Sequence, residues 1–79
     1  MRRTLDETRA ALRREIGREI RSQRERQRMP LHKLARLAAV RPERLDHYEL
    51  GKSEITLNDL FRIACALKVA PGRLLNSAG

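Results

Sequence analysis

Apolar residues recur at helical spacing along the chain, and the gaps between these runs divide it into five predicted helices. In residues 34–51 two short apolar stripes follow each other closely, which predicts two short helices that cross steeply at a tight turn. Pro42 suits the first position of the second of these helices, and Gly51 suits the position just past its end. The predicted helices cover about 31–38 and 42–50. Their stripes are formed by Leu34, Leu37 and Ala38 and by Leu45 and Tyr48.

A longer helix is predicted ahead of this pair. Thr4 and Glu7 have the spacing of a capping box, and apolar residues then recur on roughly one face until Met29 and Pro30. Gly17 weakens this helix in its middle. Two arrangements stay open: residues 1–14 either continue the helix or form a separate N-terminal helical arm, ahead of a domain that spans 15–76. The apolar face consists of Leu5, Leu12, Ile16 and Ile20.

A fourth helix is predicted to begin after Thr56, which precedes Asp59 at capping-box spacing. Pro71 begins a short fifth helix that carries Leu74 and Leu75, and residues 77–79 form a frayed tail. No segment alternates as a strand would, so the predicted fold class is all-α, a compact five-helix domain. The fourth helix is expected to supply most of the core through Leu57, Leu60, Phe61, Ile63, Ala64 and Leu67.

Length and charge narrow the function. A chain of 79 residues forms one domain with a modest core and no deep cleft between domains, which favours a binding module. The 18 Lys and Arg against 10 Asp and Glu give a net charge of +8, which favours a polyanionic partner. The chain has one Tyr, one Phe and no Trp, so it has few side chains on which single-stranded bases could stack. Duplex nucleic acid is therefore the better candidate for the partner.

Candidate catalytic and metal-binding groups are sparse. Cys65, the one cysteine, lies in an apolar helical run and is predicted to be a reduced core residue. His32 and His47 lack metal-ligand spacing, and no nucleophile and base come together. No stretch is long enough and apolar enough to cross a membrane. We therefore expect a cytoplasmic protein that is not an enzyme and needs no cofactor or metal.

From residue 16 to residue 75 the chain resembles, without a gap, the Xre family of phage-repressor and Cro-like helix-turn-helix proteins. The resemblance implies a repressor-like fold of five helices, in which the second and third form the motif and the third, the recognition helix, enters the major groove of DNA. It also implies a two-fold dimer with half-sites about 34 Å apart. The motifs that carry it are IGREIR at 16–21, LA at 34–35, Val40, YE at 48–49, GK at 51–52 and LxxLFRIACALKV at 57–69.

The chain departs from the family at several positions. Arg28, Ala39 and Lys68 stand where the family has frequent glycines, so each is expected to adopt a positive φ at a cost of about 1 kcal/mol. Leu31 replaces a glutamine that grips DNA at the start of the second helix. Pro42 brings no side-chain donor to the start of the recognition helix.

The resemblance also implies which residues face the DNA. Arg41 and Arg44 are the strongest candidates, because arginine makes bidentate contacts with guanine and with phosphate. Lys52 and Ser53 are expected to contact phosphates and to fix register. The remaining candidates are Pro42, Glu43 and His47 on the recognition helix, and His32 and Lys33 at the start of the second helix.

Each candidate also has a structural explanation. Glu43 and Asp46 favour the N-terminal end of a helix whether or not DNA is present. A lone surface histidine such as His47 usually has no special role. Tyr48 is predicted to be a core residue with its hydroxyl in water. Most of the arginines along the first helix are expected to be solvated and to form ordinary surface pairs.

Two functions stay open at this point. The leading hypothesis is a sequence-specific regulator of transcription that binds double-stranded DNA, a repressor acting as a dimer through recognition helix 42–50. The alternative is a protein-binding module on the same fold, antiactivator or antitoxin-like, that sequesters another, acidic regulatory protein. In the alternative, Leu31, and Leu50 if it is exposed, would belong to an apolar contact patch.

Overall fold

Five α-helices make up residues 4–75, the part of the chain that the computed structural model describes, and these residues contain no strand. The prediction of an all-α, five-helix fold is confirmed. The predicted frayed tail at 77–79 and the last residue of the predicted domain, 76, lie outside the described residues. The helices are α1 (Leu5–Arg26), α2 (Leu31–Ala38), α3 (Pro42–Glu49), α4 (Leu57–Leu67) and α5 (Pro71–Leu75).

Both predicted threonine caps are present. The Thr4 hydroxyl accepts a hydrogen bond from the Glu7 N–H at 3.1 Å, and the Thr56 hydroxyl accepts one from the Asp59 N–H, also at 3.1 Å. After Thr4, α1 runs without interruption to Arg26, so residues 5–14 continue the helix. The boundary of a separate domain at residues 14 and 15 stays a prediction.

Four helices end on the same left-handed turn. Arg28, Ala39 and Lys68 have φ values of 52°, 56° and 60°, as the missing family glycines predict, and Gly51 has a φ of 72°. In each case the next N–H bonds to the carbonyl five residues earlier, which satisfies an otherwise open helix end and offsets the backbone strain. These bonds join Met29 to Arg24, Val40 to Ala35, Lys52 to His47 and Val69 to Ala64, at 2.9–3.0 Å.

The core lies between the C-terminal half of α1 and the other four helices. Its largest fully buried side chains are Ile20, Leu34, Leu45, Ile63, Leu67 and Leu74. None of the five helices described combines the length and apolar character that crossing a bilayer would require.

Several residues predicted to be in the core are exposed instead. Cys65 lies in water beside Leu57 and Phe61, because α4 turns only one side inward and these three follow each other along its outer side. Near the start of α1, Leu5 and Leu12 are 71% and 41% exposed, so the rest of the fold covers these turns only in part. Helices this short enclose too narrow an interior to bury the full width of each apolar stripe. The exposed leucines are Leu5, Leu12, Leu37 and Leu75.

Gly17 sets how closely α1 approaches the end of α3. A Cβ atom there would overlap the carbonyl oxygen of Tyr48 and lie 2.7 Å from that of Glu49. At Gly51, just after α3, a Cβ atom would lie 2.7 Å from Cγ of Arg14. Gly17 therefore does more than weaken the helix, because it also lets the backbones of α1 and α3 meet here.

We expect Gly17→Ala to lower the free energy of unfolding by about 2 kcal/mol or more, because the added methyl group must push two backbone segments apart. Helix propensity alone would predict the opposite sign, a gain of about 1 kcal/mol. Gly72→Ala in α5 is the matched control, because its new Cβ would have no neighbour within 4 Å. Urea denaturation followed by circular dichroism measures both variants, and equal effects would contradict the packing argument.

Candidate nucleic-acid interface

The outer face of α3 presents the residues predicted to read DNA. Arg41, Pro42, Glu43, Arg44 and His47 are exposed, while the opposite side of the helix is buried in the core. Of the other candidates, His32 and Lys33 are exposed in the first turn of α2, Lys52 is exposed after α3, and Ser53 is half-buried. The structure thus places four candidates on α3 and Arg41 at its N-cap, and distributes the other four over two flanking segments. Their roles stay predictions.

The basic candidates differ in how they are held. Among residues 4–75 no ion pair or side-chain hydrogen bond involves Arg41, Lys33 or Lys52. Arg44 is different, because its Nη1 lies 3.4 Å from Oδ2 of Asp59. The side chain of Arg44 is still 56% exposed. Arg41, at the N-cap of α3, therefore has no side-chain partner among residues 4–75, and Arg44, on α3, has one at a single nitrogen.

Tyr48 and Asp59 form a buried hydrogen bond beneath this face. The Tyr48 hydroxyl donates to Oδ2 of Asp59 at 2.5 Å. The prediction of a hydroxyl in water was wrong, because the first turn of α4 packs its acid against the inner side of α3. Burial, and then the bond to the Asp59 carboxylate, raise the pKa of Tyr48 above its ordinary value of 10.0. The capping spacing of Thr56 and Asp59 located this acid on the chain and gave no indication of its partner.

Arg24 and Glu49 form a second buried contact at the last residue of α3, next to Tyr48. Nε and Nη2 of Arg24 donate to the two carboxylate oxygens of Glu49 at 2.7 Å and 2.9 Å, and Nη1 donates to the carbonyl of Met29 at 2.9 Å. The two side chains are only 13% and 4% exposed. The hydrogen bond to Glu49 raises the pKa of Arg24. Arg24 is thus an exception to the expectation that most arginines of α1 are solvated, because the end of α3 covers it.

The loop after α3 is tied to α1 by a third acid. Nε of Arg9 lies 2.5 Å from Oε1 of Glu54, and Nη1 of Arg13 lies 3.5 Å from the same oxygen. The hydrogen bond from Arg9 lowers the pKa of Glu54. This loop also carries Lys52 and Ser53, so the two predicted phosphate contacts lie next to a residue that α1 holds. Because the pair is half-exposed, its contribution to stability is small.

Comparison with known proteins gives two kinds of similarity. A helix-turn-helix family model matches residues 20–74. The structure is similar to that of the restriction-modification controller protein C.AhdI from Aeromonas hydrophila, with a TM-score of 0.79 and 23% sequence identity over 81% of this chain and 97% of that one. This second similarity is one of fold.

Two crystal structures of the clp gene regulator ClgR from Corynebacterium glutamicum are also similar. Each is 30% identical over 85% of this chain, with TM-scores of 0.80 and 0.81, and the matches cover 87% and 71% of the ClgR chains. No curated protein matches the chain. The similarity to ClgR is therefore one of sequence as well as fold.

We expect Tyr48, the only tyrosine, to titrate above pH 10 in the folded protein, because its neutral hydroxyl is buried and bonded to Asp59. Its folded pKa exceeds its unfolded pKa, so this contribution to stability is full below pH 10 and is lost as the pH rises through the folded value. Near-ultraviolet absorbance measures the titration, in the range where circular dichroism shows intact helices. Asp59→Asn should shift the midpoint back toward 10, and a wild-type midpoint at or below 10 would exclude the buried bond.

Proposed function

The chain belongs to the Xre-like helix-turn-helix family, and on this premise we propose that it is a sequence-specific regulator of transcription that inserts α3 into the major groove of double-stranded DNA. The observation that carries the proposal is the outer face of α3, which is exposed and is preceded by Arg41, a side chain with no ion pair or hydrogen bond among residues 4–75. Arginine at this end of the helix is suited to a bidentate contact with guanine or with phosphate.

The segments that flank α3 support the same docking. No side chain caps the first N–H groups of α2, which follow Pro30, so these donors and the nearby Lys33 can bind a phosphate. Lys52 and Ser53 follow the other end of α3 and can bind the next phosphates along the backbone. Contacts of this kind fix the register of α3, and its outer side chains then choose the sequence.

The regulatory role rests on the relatives. C.AhdI is described as a controller protein and ClgR as a gene regulator. We propose that this chain acts as a repressor in the cytoplasm by occluding a promoter, which requires only DNA binding. A protein-binding role gains little support, because Leu31 packs partly against the core and leaves Leu50 as the exposed member of the suggested apolar patch.

The outer side of α4 supports a dimer. Leu57 and Phe61, one turn apart, are 66% and 49% exposed, and Cys65 follows them one turn later. An apolar stripe along one helix can pack against its own copy across a two-fold axis. The stripe begins at Leu57, shortly after the loop that carries Lys52, so a dimer formed here would lie close to that end of α3.

We expect the protein to select a two-fold symmetric duplex from a random library and to bind it with an affinity that falls steeply with salt, as phosphate contacts require. Arg41→Ala should weaken binding by about 1–3 kcal/mol if Arg41 reads a base. Arg73→Ala is the control of equal charge, because α5 contacts α1 and α4. The selected sequence, placed across a promoter, should lower transcription of a reporter.

Fluorescence anisotropy at two salt concentrations gives the affinities of both variants. An affinity that does not change with salt, or equal losses in the two variants, would overturn the proposal. Stoichiometric capture of an acidic protein without selection of any duplex would instead favour the protein-binding module.

For the dimer, we expect Phe61→Glu to weaken self-association roughly thirtyfold or more, because an aromatic residue at the centre of an interface is replaced by a charge that faces its own copy. Leu5→Glu makes the same kind of change on an exposed residue at the start of α1, and should leave the dimer intact. Sedimentation equilibrium measures both variants. A monomeric wild-type protein, or a loss caused by Leu5→Glu alone, would contradict the assignment of α4.

A further inference from the structure

We infer that Asp59 is a positioning residue for DNA reading: from the first turn of α4, its carboxylate orients the guanidinium of Arg44 on α3 so that Arg44 reads a base. This inference rests on the proposed function and adds a specificity determinant that lies outside the recognition helix. Arg44 is a largely exposed side chain, whereas Asp59 is almost fully buried.

Asp59 is a fixed acceptor. Its side chain is 5% exposed, its backbone N–H bonds to the Thr56 hydroxyl at 3.1 Å, and Oδ2 accepts the Tyr48 hydroxyl at 2.5 Å. Tyr48 is itself a core residue. The carboxylate therefore belongs to the buried interior, and Arg44, whose Nη1 lies 3.4 Å from the same Oδ2, is the exposed partner.

Tyr48 and Arg44 are one helical turn apart on α3, so a single carboxylate oxygen receives donors from two successive turns of the recognition helix. The tyrosine holds the oxygen in place from the buried side. The arginine reaches it from the exposed side. Changing α4 at this point therefore changes the conformation of a side chain on the DNA-facing surface.

A tether at one nitrogen favours base reading over phosphate binding. Among the described contacts Asp59 engages only Nη1, which leaves the Nε and Nη2 donors of Arg44 for another acceptor. Guanine requires two parallel donors in a planar fork, and holding one nitrogen limits the planes that this fork can adopt. A phosphate contact tolerates many orientations, and the nearby carboxylate charge weakens it.

Arg62 provides an internal comparison. Its Nη1 lies 3.9 Å from Oδ1, the other oxygen of Asp59, and it reaches that oxygen from within α4 itself. Arg62 is thus a second arginine beside Asp59, and it lies on α4 and not on the recognition helix. Removing it alters the charge around Asp59 without removing a group from α3.

The test compares Asp59→Asn with Arg44→Ala, Tyr48→Phe and Arg62→Ala in the full chain. Asparagine keeps an acceptor for the Tyr48 hydroxyl and loses the charge that attracts Arg44. Tyr48→Phe removes the buried bond and keeps the carboxylate beside Arg44. Competition of the selected duplex with all single-base variants gives the base preference at every position, and thermal unfolding gives the stability of each protein.

Arg44→Ala should erase the preference at one base pair in each half-site. We expect Asp59→Asn to reduce the preference at that same pair about fivefold or more, and to leave the other positions unchanged. Arg62→Ala should keep the preference at that pair. Tyr48→Phe should lower stability, and it should reduce the preference less than Asp59→Asn does, because the carboxylate charge stays beside Arg44 although its oxygen has lost one donor.

Three results would overturn the inference. The first is that Asp59→Asn keeps the full wild-type preference at that pair. The second is that Asp59→Asn lowers the preference equally at all positions, as reduced stability alone would do, and the third is that Arg44→Ala changes no base preference. If it changes none while Arg41→Ala does, the proposed function stands and the role of Asp59 fails. A wild-type protein that prefers no duplex overturns both.

Discussion

The close approach of α1 to the end of α3 is the constraint on which the rest of the structure depends. A glycine at position 17 lets the α1 backbone lie against the carbonyls of Tyr48 and Glu49. The bidentate pair between Arg24 and Glu49 then closes the same interface further along α1. The tilt of α3, and with it the direction in which its outer side chains point, is therefore set by α1 as well as by the turn after α2.

Two acids on neighbouring helices each hold an arginine, and the surroundings of the arginine decide what each pair does. Arg24 is buried with Glu49, where losing one partner would leave an unpaired buried charge at a cost of about 3–5 kcal/mol. An apolar pair of similar volume would serve stability as well, so this contact chiefly fixes geometry. Arg44 beside Asp59 is more than half exposed and contributes little to stability. What the second pair can control is the orientation of a side chain that faces outward.

Local signals predicted the helices well, because caps and turns depend on a few neighbouring residues. Thr4, Thr56 and Gly51 stand where the structure has two caps and a left-handed turn. Side-chain environments were harder, because they depend on which helix covers which face. Phe61 and Tyr48 both lie on apolar stripes, yet one is exposed and the other is buried against an acid from α4. Periodicity locates a stripe and does not reveal its partner.

The outer face of α3 differs in net charge from the chain as a whole. This face carries Arg41 and Arg44 and also Glu43 and Asp46, so two positive and two negative charges cancel, although the chain as a whole has a net charge of +8. The excess positive charge lies outside this face and is spread along the chain, since α1 itself holds seven arginines against five acids. Long-range attraction to a polyanion would therefore come from the segments around α3. In the proposed complex α3 itself would present a neutral, mixed surface, on which the acids penalise any DNA sequence that offers them no donor. A surface of that kind gains little from phosphates in general and discriminates through the few contacts it can satisfy.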